Sequence, residues 1–115
     1  MTALEQNDAE VDIEAFKALR DALGAEDLSS LISECSRDLE EACAGLANAR
    51  SNVERIKSIA HKISGILAQY ACPRAASFAR RIAHEEATDV VGLSAALVVR
   101  TRACVMQLGS VAGTL

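Results

Sequence analysis

The amino-acid sequence predicts an all-α fold, and three observations carry that expectation. Half of the 115 residues are apolar, and aromatics are only 3% of the chain, so the apolar content is mostly Ala, Leu, Ile and Val. Proline occurs once and glycine six times. The apolar residues recur every three or four positions, the spacing of helices with one face turned to a core. Ala and straight-chain side chains lose little rotamer freedom in a helix, so composition and periodicity agree. The length is that of one domain. The expected architecture is an antiparallel four-helix bundle with an additional short helix at its N-terminus, joined by short loops.

Residues 1–11 are polar and acidic and are expected to form a flexible tail, with residues 12–115 as a single helical domain. Asp12 is a suitable N-cap for a first helix with Ile13, Phe16, Leu19 and Leu23 as its apolar stripe, and Gly24 is a suitable stop. Asp27 is positioned to cap a second helix, whose inward residues would be Leu28, Leu31, Ile32, Cys35, Leu39, Ala42 and Leu46. A turn follows over 48–52. Ser51 or Asn52 then caps a third helix running to about Ala71, with Glu54 favourably placed in its first turn. Pro73 fits the first position of a fourth helix, where a missing N–H costs nothing, with Ala75, Phe78, Ala79 and Ile82 inward. Asp89 caps a fifth, with Val90, Leu93, Leu97, Val98, Val105 and Leu108 inward.

Several function classes are disfavoured. The formal net charge is −4, whereas a non-specific nucleic-acid binder needs a basic face to displace counterions. The start of the chain lacks the basic and apolar regions of a signal peptide. The apolar run Val90 to Val99 is too short to span a bilayer and stops at Arg100. A cytoplasmic protein without membrane contact is expected. Cys35, Cys43, Cys72 and Cys104 show no CxxC pairing and read as small buried hydrophobes. A zinc site drawing on His61 or His84 lacks supporting ligand spacing, so no metal site is expected. There is no Gly-rich phosphate loop, paired-carboxylate site or nucleophile–base pair, and autonomous catalysis is not expected.

The third helix carries the informative residue. An α-helix turns about 100° per residue. With His61 at zero, Ile56, Ile59, Ala60, Ile63, Ile66, Leu67 and Tyr70 all fall between about 140° and 260°. That stripe is the core face, so His61 should point to solvent. The competing reading is an ordinary solvated histidine. Its neighbours argue for more: Glu54, Lys57, Ser58, Ser64, Gly65 and Ala68 lie within about 60° of it, and most of them are small. Glycine inside a helix costs about 1 kcal/mol against alanine, yet Gly65 stands one turn beyond the histidine, where a missing Cβ opens the approach to the imidazole. Lys57, one turn before, could meet an anion on the ring. The unprotonated nitrogen of an exposed imidazole is a nucleophile near neutral pH that can accept a phosphoryl group and release it again.

At Ile59-Ala60-His61-Lys62-Ile63-Ser64-Gly65 the chain resembles the histidine phosphotransfer domain family of two-component phosphorelays, whose core is Ala-His-x-Leu-Lys-Gly. The resemblance extends to the Asp12-Ile13 start, the Gly24 turn and the Ala71-Cys72 junction. It implies that His61 is the phosphoacceptor, Ile63 a core aliphatic and Gly65 the access glycine. The family's lysine, three residues after the histidine, is Ser64 here. Ser64 could offer a hydroxyl to the phosphoryl group. Lys57 is better placed than Lys62, which lies about 100° round the helix, and Arg80 of the fourth helix could lean toward the site. Ser58 and Ala68 would complete the partner-facing surface, with Leu28, Leu31 or Ile32 at its edge.

The resemblance implies a monomeric phosphocarrier that exchanges phosphate with response-regulator receiver domains or a hybrid histidine kinase. It would hold no cofactor of its own, the Mg²⁺ residing on the receiver. One alternative is a module of the same fold that docks receiver or kinase domains without carrying phosphate. Others are a structural helical dimer, and His84 as the acceptor in place of His61.

Overall fold

The computed structural model describes residues 11–70, 72–84 and 89–114. Among them the chain is all-helical, with α1 at Ile13–Leu23, α2 at Ala25–Ala49, α3 at Val53–Gln69, α4 at Pro73–His84 and α5 at Val90–Thr114. Most of the expected tail lies outside the described residues. Its last member does not: Val11 is buried, and its N–H donates to the Gln107 side chain of α5 at 3.1 Å. The packed structure therefore includes Val11, one residue before the Asp12 boundary.

Local chemistry explains most helix ends. The Asp12 carboxylate accepts from the Ala15 N–H at 3.2 Å, satisfying one of the unpaired donors of α1. Gly24 has φ +85, which a residue with a Cβ adopts only under strain, and it ends α1 by donating to the Arg20 carbonyl at 2.8 Å. The same glycine starts α2, so the expected cap at Asp27 is displaced. Asp27 instead lies with Glu26 in the first turn, where carboxylates favour the helix dipole. α2 runs on to Ala49, and Arg50 turns the chain at φ +52. The Asn52 side chain then caps α3 by accepting from the Arg55 N–H at 3.1 Å. Pro73 opens α4 as its composition suggests.

The core is a single apolar cluster drawn from all five helices, with Phe16, Leu39, Ile56, Ile63, Leu67, Ile82, Leu97 and Leu108 fully enclosed. Each such side chain contributes about 1.5–3 kcal/mol by leaving water. α3 and α4 share the most extensive contact, and α2, α3 and α4 each pack against α5, while α1 lies on α2. The small residues Ala75, Ala76 and Ala79 of α4 are buried, which lets that helix approach closely. Of the α1 stripe, Phe16 is buried, Leu19 and Leu23 are half-buried, and Ile13 is exposed. The four cysteines are free and buried, as their spacing suggests.

α5 departs from expectation. It does not stop its apolar character at Arg100 but continues past Arg100 and Arg102. Val90–Val111 has a mean hydropathy of 1.3, long and apolar enough by length and composition to cross a membrane. One side, with Leu97, Thr101, Cys104 and Leu108, is buried, while Val91, Val99 and Met106 are exposed. Val98 and Val105, expected inward, are half-buried.

Candidate functional site

α3 is divided cleanly into two faces. Ile56, Ala60, Ile63 and Leu67 are each fully buried. His61, between Ala60 and the next buried turn, is exposed, as the helical arithmetic requires. Ser58, Lys62, Gly65 and Ala68 are exposed as well, and Lys57 is half-buried. Beyond the backbone of its own helix and its chain neighbours, no atom stands within 4 Å of where a Cβ on Gly65 would lie. The approach to His61 from that side is open.

Gly45 gives the opposite case. A Cβ there would meet Ile59 Cδ1 at 3.1 Å, so the glycine allows α2 and α3 to approach closely. Gly65 serves no such packing purpose.

Ser64 is not where a phosphoryl contact would need it. The residue is 6% exposed, and its hydroxyl donates to the His61 carbonyl at 2.7 Å. The side chain is turned inward, and the bond to the carbonyl three residues back satisfies the buried hydroxyl. Ser64 thus braces the turn that carries His61 rather than reaching past the ring. Leu28 and Ile32, considered as edges of a docking surface, are buried in the core, and only Leu31 is half-exposed.

The α3–α4 packing brings a residue to His61 that sequence reasoning weighed only as a rival acceptor. The imidazole of His84, the last residue of α4, meets that of His61 edge to face, with ring centroids 5.6 Å apart and planes at 84°. α3 and α4 are joined by a short connection and share the most extensive contact of the fold, and His61 and His84, nearly equidistant from Cys72, meet. That near-symmetric spacing was the available signal. Arg80 lies one turn before His84 on α4, and Gly65 one turn after His61 on α3. Arg80 is exposed, and among the described residues neither it nor Lys57 is held in an ion pair.

On the other flank of α4, Pro73, Arg74, Ser77, Phe78 and Arg81 line an open groove of about 360 Å³ with Arg100 of α5. The Arg100 guanidinium lies over the Phe78 ring, 4.9 Å from its centroid, a cation–π contact. α4 therefore presents arginines on both sides of His84, a basic stretch on an acidic protein.

Cys35 and Cys43 are chemically quiet. Burial, with lesser contributions from Cys72 and Asp38, pushes the Cys35 thiol up to about 12, and burial likewise raises Cys43. Among the described residues no group of three or more His, Cys, Asp or Glu side chains is arranged to hold a metal ion. Comparison with protein-family models, with curated proteins and with solved structures found no match to this chain.

Proposed function

We propose that this protein is a histidine phosphotransfer carrier, its helices forming an antiparallel four-helix bundle with α1 as the additional N-terminal helix. His61 accepts a phosphoryl group from the aspartate of one receiver domain and passes it to another. The observation that carries this reading is the outward His61 one turn below an unobstructed Gly65, on a helix that buries Ile56, Ala60, Ile63 and Leu67 on its other side. A helix pays about 1 kcal/mol for an exposed interior glycine, and access for a partner is a reason to keep it.

The chemistry asks little of the carrier. The unprotonated ring nitrogen of His61 attacks the phosphorus of an aspartyl phosphate. The N–P bond forms as the acyl O–P bond breaks, and the aspartate leaves as a carboxylate. In-line positioning and charge neutralisation come from the docked receiver and its Mg²⁺. On this side, Gly65, Ala68 and Ser58 leave room for the partner. Lys57 and Arg80 are the flexible cations within a turn of the ring, and Lys62 points away. Ser64 holds the backbone. The site needs no cofactor of its own.

The carrier is read as a water-soluble, cytoplasmic monomer. An arginine in hydrocarbon costs several kcal/mol, and α5 carries two near its middle, one of which, Arg102, pairs with Glu40 of α2 at 3.4 Å.

Incubation with a phosphorylated receiver domain tests the proposal. Acid-labile phosphate should move to the wild-type chain and not to His61→Gln. The inward hydroxyl of Ser64 favours a second reading, a module that binds receivers without accepting phosphate; measurable binding with no label from any receiver would establish that instead.

A further inference from the structure

Two exposed imidazoles in ring contact form the least expected feature of this surface. His61 and His84 come from different helices, and their ring centroids are 5.6 Å apart. Neither is enclosed, so each side chain can turn between staggered rotamers without disturbing the core. The edge-to-face arrangement sets the rim of one ring, where the nitrogens lie, against the face of the other. A neutral imidazole carries one N–H donor and a protonated one carries two, so His84 always has a hydrogen to give.

A phosphoryl group on a ring nitrogen of His61 would place strong acceptor oxygens and close to two negative charges in the space beside His84. Hydrogen bonds to such a charged acceptor are about twice as strong as neutral ones. Of the two hydroxyls three residues away, that of Ser64 is already committed to the His61 carbonyl, and that of Ser58 lies on the exposed face of the same helix. His84 is the side chain that the fold itself brings against the His61 ring. Resting on the reading of His61 as acceptor, we propose that His84 is a phosphoryl-binding residue of this site. It donates a ring N–H to an oxygen of the phosphoryl group carried by His61.

The test uses phosphoramidate, a small donor that needs no receiver. The His61 nitrogen attacks its phosphorus, the P–N bond of the donor breaks, and ammonia leaves. Phosphorylation of the full chain is followed by ³¹P NMR, and the modified residue is located by mass spectrometry. His84→Phe keeps a ring against His61 but has no N–H. His84→Gln loses the ring and keeps a donor. Label on His61 should form roughly tenfold more slowly in His84→Phe and close to the wild-type rate in His84→Gln, and the ³¹P resonance of phospho-His61 should move only in the Phe variant. A purely structural contact would give the reverse order, with Phe tolerated and Gln impaired. That order, equal rates in all three proteins, equal slowing in both variants, or label found on His84 instead of His61 overturns the proposal. The two claims separate experimentally. Receivers that never label His61, with phosphoramidate labelling still dependent on the His84 donor, remove the relay and leave this site. Normal labelling by a receiver, with no effect of either variant, does the opposite.

Discussion

α3 and α5 are both long, apolar-rich helices of one core, and they treat their two faces in opposite ways. α3 buries Ile56, Ala60, Ile63 and Leu67 completely and shows the outside a histidine, a glycine and small side chains. α5 buries Leu97, Cys104 and Leu108 but also encloses Thr101, and it leaves Val99 at 69% and Met106 at 75% exposed. On α3 the position of each residue type can be assigned to packing or to access. On α5 apolar residues lie on both sides, so apolarity alone does not say which side faces in. The contrast teaches where a functional residue is recognisable. It stands out when its face has been cleared of everything that packing would have chosen.

The largest expected effect tests the packing side of this contrast. Leu97→Ala should cost about 2–5 kcal/mol, from lost transfer energy and the cavity left behind, whereas Val99→Ala two residues away should stay within about 0.5 kcal/mol. Urea unfolding of the two variants reads both values. Similar losses would mean that the exposed side of α5 is covered by something.

Gly65→Ala sharpens the α3 side, because stability and function should move in opposite directions. Alanine there meets open space and should stabilise the helix by about 1 kcal/mol, while label transfer from a receiver slows at least severalfold. Gly45→Ala should gain less, since Ile59 Cδ1 stands 3.1 Å from the new Cβ and must give way. A Gly65→Ala protein that is more stable and transfers at the wild-type rate would remove the access argument.

The smallest effect concerns the polar residue inside α5. Among the described residues the Thr101 hydroxyl, fully buried, has no hydrogen-bond partner. Thr101→Val keeps the shape and removes the orphaned group, and should be neutral or stabilising by up to about 1 kcal/mol in thermal unfolding. A loss of stability would show that the hydroxyl is engaged.

The helical arithmetic placed most of the α3 side chains, His61 and Gly65 outward and Ile56, Ala60, Ile63 and Leu67 inward, because a single 100° step sets every side chain relative to one axis. Ile59, Ile66 and Tyr70, expected on the same inward stripe, are half-buried. Caps at Asp12 and Asn52 were legible for a similar reason, being contacts between residues three apart. The Asp27 cap failed because Gly24 alone can adopt the backbone that ends one helix and begins the next. Ser64 is buried rather than outward because a position about 60° from the histidine can belong either to the open face or to the packed one, and only the tertiary arrangement decides which. His84 entered the site for the same reason: contacts between helices depend on register and approach, which periodicity within one helix does not contain. On α5 the inward places of Val90, Leu97 and Leu108 were legible, whereas Leu93, Val98 and Val105, expected inward, are half-buried, since apolar residues on all sides blur the inward direction.

The central claim is that His61 carries phosphate between two partners, and one two-step experiment tests it most directly. Chain labelled by a phosphorylated receiver is freed of that receiver and mixed with a second, unphosphorylated one. Phosphate should be mapped to His61 after the first step and recovered on the second receiver's aspartate after the next, with His61→Gln empty throughout and unchanged in helical circular dichroism. Label that never reaches His61 from a receiver, or that reaches the second receiver equally well through His61→Gln, would contradict the account.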